Sequence, residues 1–240
     1  MSAIEMAMVL AAGRGERLRP ITDTIPKPLV VVAGKTMLDR MLDAVAAAGV
    51  TEAVVNTHHL ADAMAAHLKG RSAPRITLSH EDDLLETGGG VAKALPILTA
   101  GGTAPFFVAN SDIVLIDGPR PALSRLAEAW RGDHMDALLL VHPTARAHGY
   151  AGRGDFHLGP NGRLRRREKG APAPDMFAGV QILHPRLFAD TPAGPFSLNL
   201  LYDRAQALGR LHGLRHDGHW LHIGTPEALR DAETTLARLL

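Results

Sequence analysis

Short apolar runs alternate with amphipathic segments along the first half of the chain. The apolar runs have the length and continuity of buried parallel strands, and they cover residues 8–12, 53–56 and 106–109. A further strand is predicted over residues 76–80. Between them, apolar residues at helical spacing predict helices over residues 37–48, 60–68 and 88–98. This alternation predicts an α/β fold with a doubly wound, mostly parallel sheet.

The second half of the chain has a less regular pattern. It predicts strands over residues 137–141, 177–183, 211–215 and 220–221, and helices over residues 123–130, 198–208 and 226–239. Asn161-Gly162 lies between two short extended segments and is typical of a hairpin turn. Thr225 and Pro226 suit the N-cap and the first position of the last helix. Because no linker or repeat interrupts the sequence, we predict a single domain over residues 1–240.

Composition narrows the classes of function. Of the 240 residues, 46% are hydrophobic, which is enough for a substantial core. The 26 basic and 25 acidic residues nearly balance, which gives no support for a nucleic-acid or membrane partner. There is no cysteine, so thiolate chemistry is excluded. With neither an 18-residue apolar span nor a signal segment, we expect a cytoplasmic protein, as a monomer or small homo-oligomer.

Candidate functional residues are concentrated at residues 8–29. Glycines at positions 13 and 15 follow the first apolar run, and they allow a sharp turn with exposed N–H groups. Such a pattern is often only a tight turn, but it also suits a polyphosphate. Positive charge lies beside it at Arg14, Arg17 and Arg19. Prolines on both sides of Lys27 hold that residue on a stiff, extended segment.

The same stretch resembles the signature of the sugar-1-phosphate nucleotidyltransferases, L-A-A-G-x-G-(S/E/T)-R-(L/M)-x-P followed by P-K-P-(L/M). The chain matches it at Leu10, Ala11, Ala12, Gly13, Gly15, Glu16, Arg17, Leu18, Pro20, Pro26, Lys27, Pro28 and Leu29. The resemblance implies a Rossmann-like fold of the nucleotide-diphospho-sugar transferase type, with a small sugar-binding β subregion. Residues 1–118 would form the nucleotide-binding half and residues 119–240 the sugar-binding half.

That resemblance also implies a reaction and a set of roles. A sugar-1-phosphate oxygen attacks the α-phosphorus of a nucleoside triphosphate, and pyrophosphate leaves. Since the nucleophile is already an anion, the protein has to align two anionic molecules and neutralise their charge. Arg17 would hold the β- and γ-phosphates, and Lys27 would stabilise the α-phosphate. The nucleotide-binding residues would be Leu10, Ala11, Ala12, Gly13, Arg14, Gly15 and Glu16.

A second glycine-rich segment, Glu86-Thr87-Gly88-Gly89-Gly90, begins a predicted helix. Three glycines there are costly unless the backbone approaches something closely, although a flexible loop has the same composition. The segment resembles that of the N-acetylmuramate α-1-phosphate uridylyltransferases of peptidoglycan recycling. This favours UTP as the donor and Gly88 as a reader of the base through its main chain. Mannose-1-phosphate guanylyltransferase and heptose-1-phosphate nucleotidyltransferase activities remain alternatives.

Two positions match the metal ligands of the family. Asp112 follows the fourth predicted strand, where an aspartate is often a turn or cap residue, and the resemblance makes it a ligand of Mg²⁺. His222 stands where the family has its second aspartate, in the sequence W-L-H-I-G-T-P-E. Imidazole is a poor Mg²⁺ ligand. His222 would therefore bind Mn²⁺ or a metal-bound water, or donate to a phosphate, or mark an impaired site in a nucleotide-sugar-binding regulator; we favour retained activity.

The sugar side of the cleft is predicted only through the resemblance. It assigns the acceptor sugar and its phosphate to Asn110, Gly149, Glu168, Lys169 and Gly179. Lys169 would anchor the incoming sugar phosphate. Ala171 and Pro172 depart from the Glu-Lys-Pro element of the family.

Overall fold

The computed structural model describes residues 4–239; residues 1–3 and 240 of the predicted domain lie outside them. The helices are α1 (Met37–Ala47), α2 (Ala61–Leu68), α3 (Glu86–Thr99), α4 (Ala122–Ala129), α5 (Asn199–Ala207) and α6 (Pro226–Leu239). The strands are β1 (Met6–Leu10), β2 (Val31–Val32), β3 (Lys35–Thr36), β4 (Glu52–Thr57), β5 (Arg75–His80), β6 (Phe106–Asn110), β7 (Ile113–Ile116), β8 (Ala137–Pro143), β9 (Phe156–Leu158), β10 (Leu164–Arg166), β11 (Asp175–Leu183), β12 (Leu211–Arg215) and β13 (His219–His222). Among the described helices, none is long and apolar enough to cross a membrane.

The first half of the chain forms a parallel sheet with the strand order β6-β1-β4-β5. Val9 of β1 pairs in parallel with Val55 of β4 on one side and with Ala109 of β6 on the other. The chain thus adds strands on one side of β1 and then returns to its other side. In such sheets the crevice for a ligand lies at the carboxyl ends of the strands where the order reverses, which here is between β1 and β6.

The second half extends the same sheet with mostly antiparallel strands. β11 pairs antiparallel with β6, β8 and β9, and β9 pairs antiparallel with β10. β12 pairs in parallel with β8. The resulting nine-stranded sheet contains strands from both predicted halves. The predicted α/β fold, Rossmann-like with a mostly parallel central sheet, is confirmed.

Apolar residues cover both faces of this sheet. Along β1, Ala7 and Val9 face a core shared with α1 and α4, whereas Met8 faces a core shared with α3 and α5. The alternation follows from the two-residue repeat of a strand. A smaller third core packs Leu18 against α6 and β13, which fixes the segment after Gly15 on the body of the protein.

Local signals account for most element boundaries. Thr36 caps α1 by accepting a hydrogen bond from the Asp39 N–H at 3.0 Å. The Thr225 hydroxyl accepts from the Ala228 N–H at 3.2 Å, which confirms the predicted N-cap of α6. The helix predicted from residue 88 begins two residues earlier, at Glu86, whose φ is +58°. A non-glycine residue seldom adopts that conformation, so apolar spacing alone does not reveal this start.

Candidate active site

The first glycine-rich loop, residues 11–17, leaves the carboxyl end of β1 and turns against the segment that carries Lys27. Gly15 has a φ of +66°, and a Cβ there would come within 2.9 Å of both the Lys27 Cβ and the Thr22 Cγ2. The buried Thr22 hydroxyl donates to the Gly15 carbonyl at 2.8 Å. Only glycine fits this position, and it brings the loop and Lys27 together. Gly13 has no atom within 4 Å of its ideal Cβ position and stays open.

Lys27 and Asp112 meet across this loop. The Lys27 Nζ lies 2.7 Å from the Asp112 Oδ2, and their side chains are 12% and 33% exposed. Burial by itself would raise the pKa of Asp112, but its contact with His222 and the positive charge of Lys27 outweigh burial and hold that pKa well below its usual range. Asp112 is therefore ionised at neutral pH, and it fixes the ammonium at the junction of β1 and β6.

His222 lies on the far side of Asp112. Its Nε2 is 3.7 Å from the Asp112 Oδ2, and its ring stacks on Trp220 with centroids 6.0 Å apart and an interplanar angle of 18°. A Cβ on Gly224 would come within 2.8 Å of the His222 ring. The Trp220 Nε1–H donates to the Ala178 carbonyl at 3.1 Å. Packing therefore fixes the imidazole beside the carboxylate.

Asp112 and His222 are the side chains that could hold a divalent cation at this site. Within residues 4–239, no group of three or more histidine, cysteine or acidic side chains is arranged to hold a metal. Asp112 and His222 together offer one carboxylate and one imidazole. Mg²⁺ is commonly held by one or two carboxylates plus substrate phosphates and waters. The site therefore fits a cation that arrives with a phosphate-bearing substrate.

A buried carboxylate that the sequence reasoning missed lies on the opposite wall. Glu81 is 1% exposed and directly follows β5. Its Oε1 accepts from the Asn56 Nδ2 at 2.7 Å, and its Oε2 accepts from the Leu85 N–H at 3.0 Å. The Asn56 Oδ1 in turn accepts from the Ala11 N–H at 2.6 Å. Their position could have indicated a site, because Glu81 and Asn56 occur at strand ends, as Asp112 does.

The second glycine-rich segment, which holds Gly88, is closed by packing. The Gly88 N–H donates to the Phe196 carbonyl at 2.8 Å, and a Cβ on Gly88 would lie 2.3 Å from the Phe196 ring. A Cβ on Gly89 would lie 2.5 Å from the Gly194 carbonyl oxygen, and one on Gly90 would lie 2.8 Å from the Glu81 Oε1. The Gly88 N–H is thus already used and is not free to read a base.

The predicted sugar-side residues separate into two groups. Gly179 has a φ of +84° and lies beside Asn110, since a Cβ there would be 3.5 Å from the Asn110 Cβ. A Cβ on Gly149 would come within 2.8 Å of the His222 carbonyl oxygen. Glu168 and Lys169 are exposed, and neither lines the cavity that contains Lys27 and Asp112.

One cavity of about 700 Å³ connects the first loop, the Lys27–Asp112 pair and Glu81. Its volume lies in the range of small-molecule sites. The residues that line it are Leu10, Ala11, Ala12, Gly13, Arg14, Gly15, Glu16, Arg17, Lys27, Pro28, Asn56, Glu81, Leu84, Glu86, Thr87, Asn110, Ser111, Asp112 and Gly224. Arg14 and Arg17 are exposed at its edge. The cavity therefore presents cations and open backbone at one end and acceptor oxygens at the other.

The match to known proteins agrees with this geometry. The chain belongs to the nucleotidyl transferase family, which matches residues 6–164. It is 45% identical to the N-acetylmuramate alpha-1-phosphate uridylyltransferase of Caulobacter vibrioides, over 98% of each chain. It is 36% identical to the enzyme of the same name from Neisseria meningitidis serogroup B, over 95% of this chain and 96% of that one.

More distant relatives share the fold. The mannose-1-phosphate guanyltransferase of Aspergillus fumigatus is 30% identical over 92% of this chain, which spans 61% of that protein. The structure of a UDP-glucose pyrophosphorylase complexed with UDP-glucose superposes with a TM-score of 0.82 at 15% identity, covering 99% of this chain and all of that one. The protein is therefore an enzyme of the sugar-1-phosphate nucleotidyltransferase class, as the sequence predicts.

Proposed function

We propose that the enzyme transfers the uridylyl group of UTP to N-acetylmuramate α-1-phosphate, giving UDP-N-acetylmuramate and pyrophosphate, and that it serves peptidoglycan recycling. The observation that carries the choice of substrates is the 45% identity to a uridylyltransferase of that name along 98% of both chains. The cavity supplies the chemistry that such a transfer needs.

The triphosphate binds at the first glycine-rich loop. Open backbone at Gly13 lets phosphate oxygens approach N–H groups, and Arg14 and Arg17 supply positive charge at the edge of the cavity. A sugar-phosphate oxygen attacks the α-phosphorus, and the bond to the bridging oxygen of the pyrophosphate breaks. Lys27, already held at the junction by Asp112, stabilises the charge on the α-phosphate.

A divalent cation completes the charge balance in this proposal. Asp112 and His222 would hold it. When bound, it neutralises phosphate charge as a Lewis acid. Mg²⁺ suits the carboxylate and the phosphates, and Mn²⁺ suits the imidazole as well.

Glu81 is our candidate for reading the base. A carboxylate only accepts hydrogen bonds, and each of its oxygens has capacity for a further donor beyond Asn56 and Leu85. Uracil and guanine present a ring N–H, whereas adenine and cytosine present a ring acceptor at the corresponding place. Glu81 therefore favours UTP and GTP over ATP and CTP, and the sequence relatives favour UTP between the two.

A second candidate keeps the mechanism and changes both substrates. The 30% identity to a mannose-1-phosphate guanyltransferase, together with an acceptor carboxylate at position 81, favours GTP and mannose-1-phosphate as that alternative. Its support is weaker because this chain spans only 61% of that relative.

Pyrophosphate release tests the proposal. The four nucleoside triphosphates are combined with N-acetylmuramate, N-acetylglucosamine and mannose 1-phosphates, each with Mg²⁺ and with Mn²⁺. We expect release with UTP and N-acetylmuramate α-1-phosphate at a kcat/KM at least about ten-fold above any other pair. Release mainly with GTP and mannose-1-phosphate would replace the substrates. If folded protein that still binds UTP releases no pyrophosphate with any pair, the proposed activity is wrong and the protein only binds nucleotides.

A further inference from the structure

The nine-stranded sheet has edges of two kinds. At one end, β10 has three residues, and two of them are arginines. The free side of β12 is bridged by the turn before β10, since the Gly213 N–H donates to the Gly162 carbonyl at 2.8 Å. At the other end, β5 has six residues, and within residues 4–239 it pairs with β4 alone. β5 is therefore the edge most open to a further strand.

The hydrogen bonds to β4 show which main-chain groups of β5 face outwards. The Arg75 N–H donates to the Thr51 carbonyl at 2.9 Å, and the Glu81 N–H donates to the Thr57 carbonyl at 2.8 Å. Along a strand, successive residues direct their main-chain groups to opposite sides. The odd-numbered positions from 75 to 81 therefore face β4, and the even-numbered positions from 76 to 80 face away from it.

Two of these outward-facing positions carry apolar side chains. Ile76 and Leu78 line an open groove of about 480 Å³ with α2 and the turn that follows it, and Leu78 is 39% exposed. Edge strands commonly carry a charge or a proline that prevents pairing with another chain. β5 has neither at these two positions, so both its main chain and its side chains suit a partner strand.

A second copy of β5 fits this edge in one antiparallel register. With position 77 opposite itself, Ile76 of each copy pairs with Leu78 of the other, and each pair exchanges two main-chain hydrogen bonds and joins two apolar side chains. The next outward-facing pair is His80 with Pro74. The His80 carbonyl already accepts from the Lys93 Nζ, and proline has no N–H to donate to it. This register therefore wastes no hydrogen bond.

The neighbouring registers each lose a hydrogen bond. Centring the pairing on position 78 would make the Ile76 N–H compete with Lys93 for the His80 carbonyl. Centring it on position 76 would set the Leu78 carbonyl opposite Pro74, which has no N–H. The main chain thus favours pairing about position 77.

Charge favours the same arrangement. Lys69 before β5 and Asp83 after it are exposed, and neither forms an ion pair with another of the described side chains. Antiparallel pairing brings the Lys69 end of each copy towards the Asp83 end of the other, and such complementarity fixes orientation more than affinity. We propose that two copies of this chain pair through β5, antiparallel about Thr77, and that the dimer has one continuous sheet.

A cysteine at the centre of the pairing tests the register, because the chain has no cysteine of its own. Opposed residues that are not hydrogen-bonded to each other have Cα atoms about 4.5 Å apart, which a disulfide can bridge. Exposed Arg75 gives the matched control as Arg75→Cys, since the two cysteines would then lie roughly 14 Å apart. Under mild oxidation, Thr77→Cys should form disulfide-linked dimers at least about ten-fold faster than Arg75→Cys. Equal rates would overturn the proposal.

Sedimentation equilibrium of the full chain gives an independent readout. At about 50 µM we expect the wild type to have twice the mass of one chain, and we expect Leu78→Lys to raise the dissociation constant of the dimer at least about ten-fold, because it buries an ammonium group against an apolar side chain.

The matched control is Leu208→Lys. Leu208 is 69% exposed and follows α5, which packs on β10 and β12 at the other end of the sheet. This variant should remain a dimer, and circular dichroism checks that each variant is folded. A wild-type protein that is monomeric at that concentration, or a dimer that Leu78→Lys leaves as tight as before, would contradict pairing through β5.

Discussion

The two glycine-rich segments at the edges of the cavity look alike in sequence and differ in structure. Gly13 in the first segment has no atom within 4 Å of its ideal Cβ position, so its backbone is open to a ligand. Gly88 in the second segment would place a Cβ 2.3 Å from the Phe196 ring, and its N–H is already bonded to the Phe196 carbonyl. The first segment leaves its backbone open, and the second packs closely on the segment at Gly194 and Phe196.

This difference explains why glycine after a strand is an ambiguous signal. In both segments the missing side chain allows a close approach. In the proposed function the group that approaches the first segment is the triphosphate, whereas the group that approaches the second is the segment at Gly194 and Phe196. Substitutions in the first segment should change activity, and substitutions in the second should change stability.

The largest effect on activity is expected at Lys27, which packs against the first segment. Lys27→Met should lower kcat/KM for pyrophosphate release by about 10²- to 10³-fold, because one charge-stabilising donor is lost from the α-phosphate. The melting temperature, measured alongside, should change little, since the Lys27–Asp112 pair is partly exposed. Turnover within three-fold of wild type would remove Lys27 from the mechanism.

The next effect lies in the second segment. Gly88→Ala should lower the free energy of unfolding by about 1–3 kcal/mol, because overpacking against Phe196 exceeds the gain in helix propensity. Urea denaturation measures it. In a Phe196→Ala background the same substitution should cost less, because the ring contact is removed while the 2.8 Å approach to the carbonyl oxygen of residue 196 remains. An equal cost in both backgrounds would show that the Phe196 ring does not contribute to the requirement for glycine at this position.

A smaller effect, on nucleotide selectivity, is expected at Glu81, whose carboxylate lies beside Gly90 of the second segment. Glu81→Gln keeps the shape of the side chain but adds a donor, so discrimination between UTP and CTP should fall by about ten-fold. The measurement is the ratio of kcat/KM for the two triphosphates with one acceptor. An unchanged ratio would place the base elsewhere in the cavity.

The smallest change in stability is expected at Gly13. Gly13→Ala meets no neighbour, so the free energy of unfolding should stay within about 0.5 kcal/mol of wild type. The KM for UTP should nevertheless rise several-fold, because the methyl group occupies space that a phosphate would use. A stability loss as large as that of Gly88→Ala would erase the contrast between the segments.

The sequence predicts the phosphate end of the site better than the rest. Lys27 and Asp112 are predicted through the family resemblance, since a lysine between prolines and an aspartate after a strand are ambiguous by themselves, and the structure brings the two side chains to 2.7 Å. The sequence does not predict the burial of Glu81, nor the contact that uses the Gly88 N–H. Both depend on pairings between distant parts of the chain, with Asn56 and with Phe196 respectively, and no local pattern encodes those.

The same limit applies to the fold. The parallel strands β1, β4 and β6 are predicted by their apolar runs, and β12 is predicted at its observed bounds. The insertion of β11 between β6 and β8 was not, because it depends on register between residues about 70 positions apart. That strand carries Gly179 and Phe177. The residues on the sugar side of the cleft are therefore predicted only through the family resemblance.

A competition experiment tests the central claim most directly. Equimolar UTP and GTP are mixed with N-acetylmuramate α-1-phosphate, mannose-1-phosphate, Mg²⁺ and enzyme, and the nucleotide sugars are identified by mass spectrometry, with Lys27→Met as the matched control. The account predicts UDP-N-acetylmuramate as the main product of the wild type, and little product from the variant. GDP-mannose as the main product, or equal yields from enzyme and variant, would contradict it.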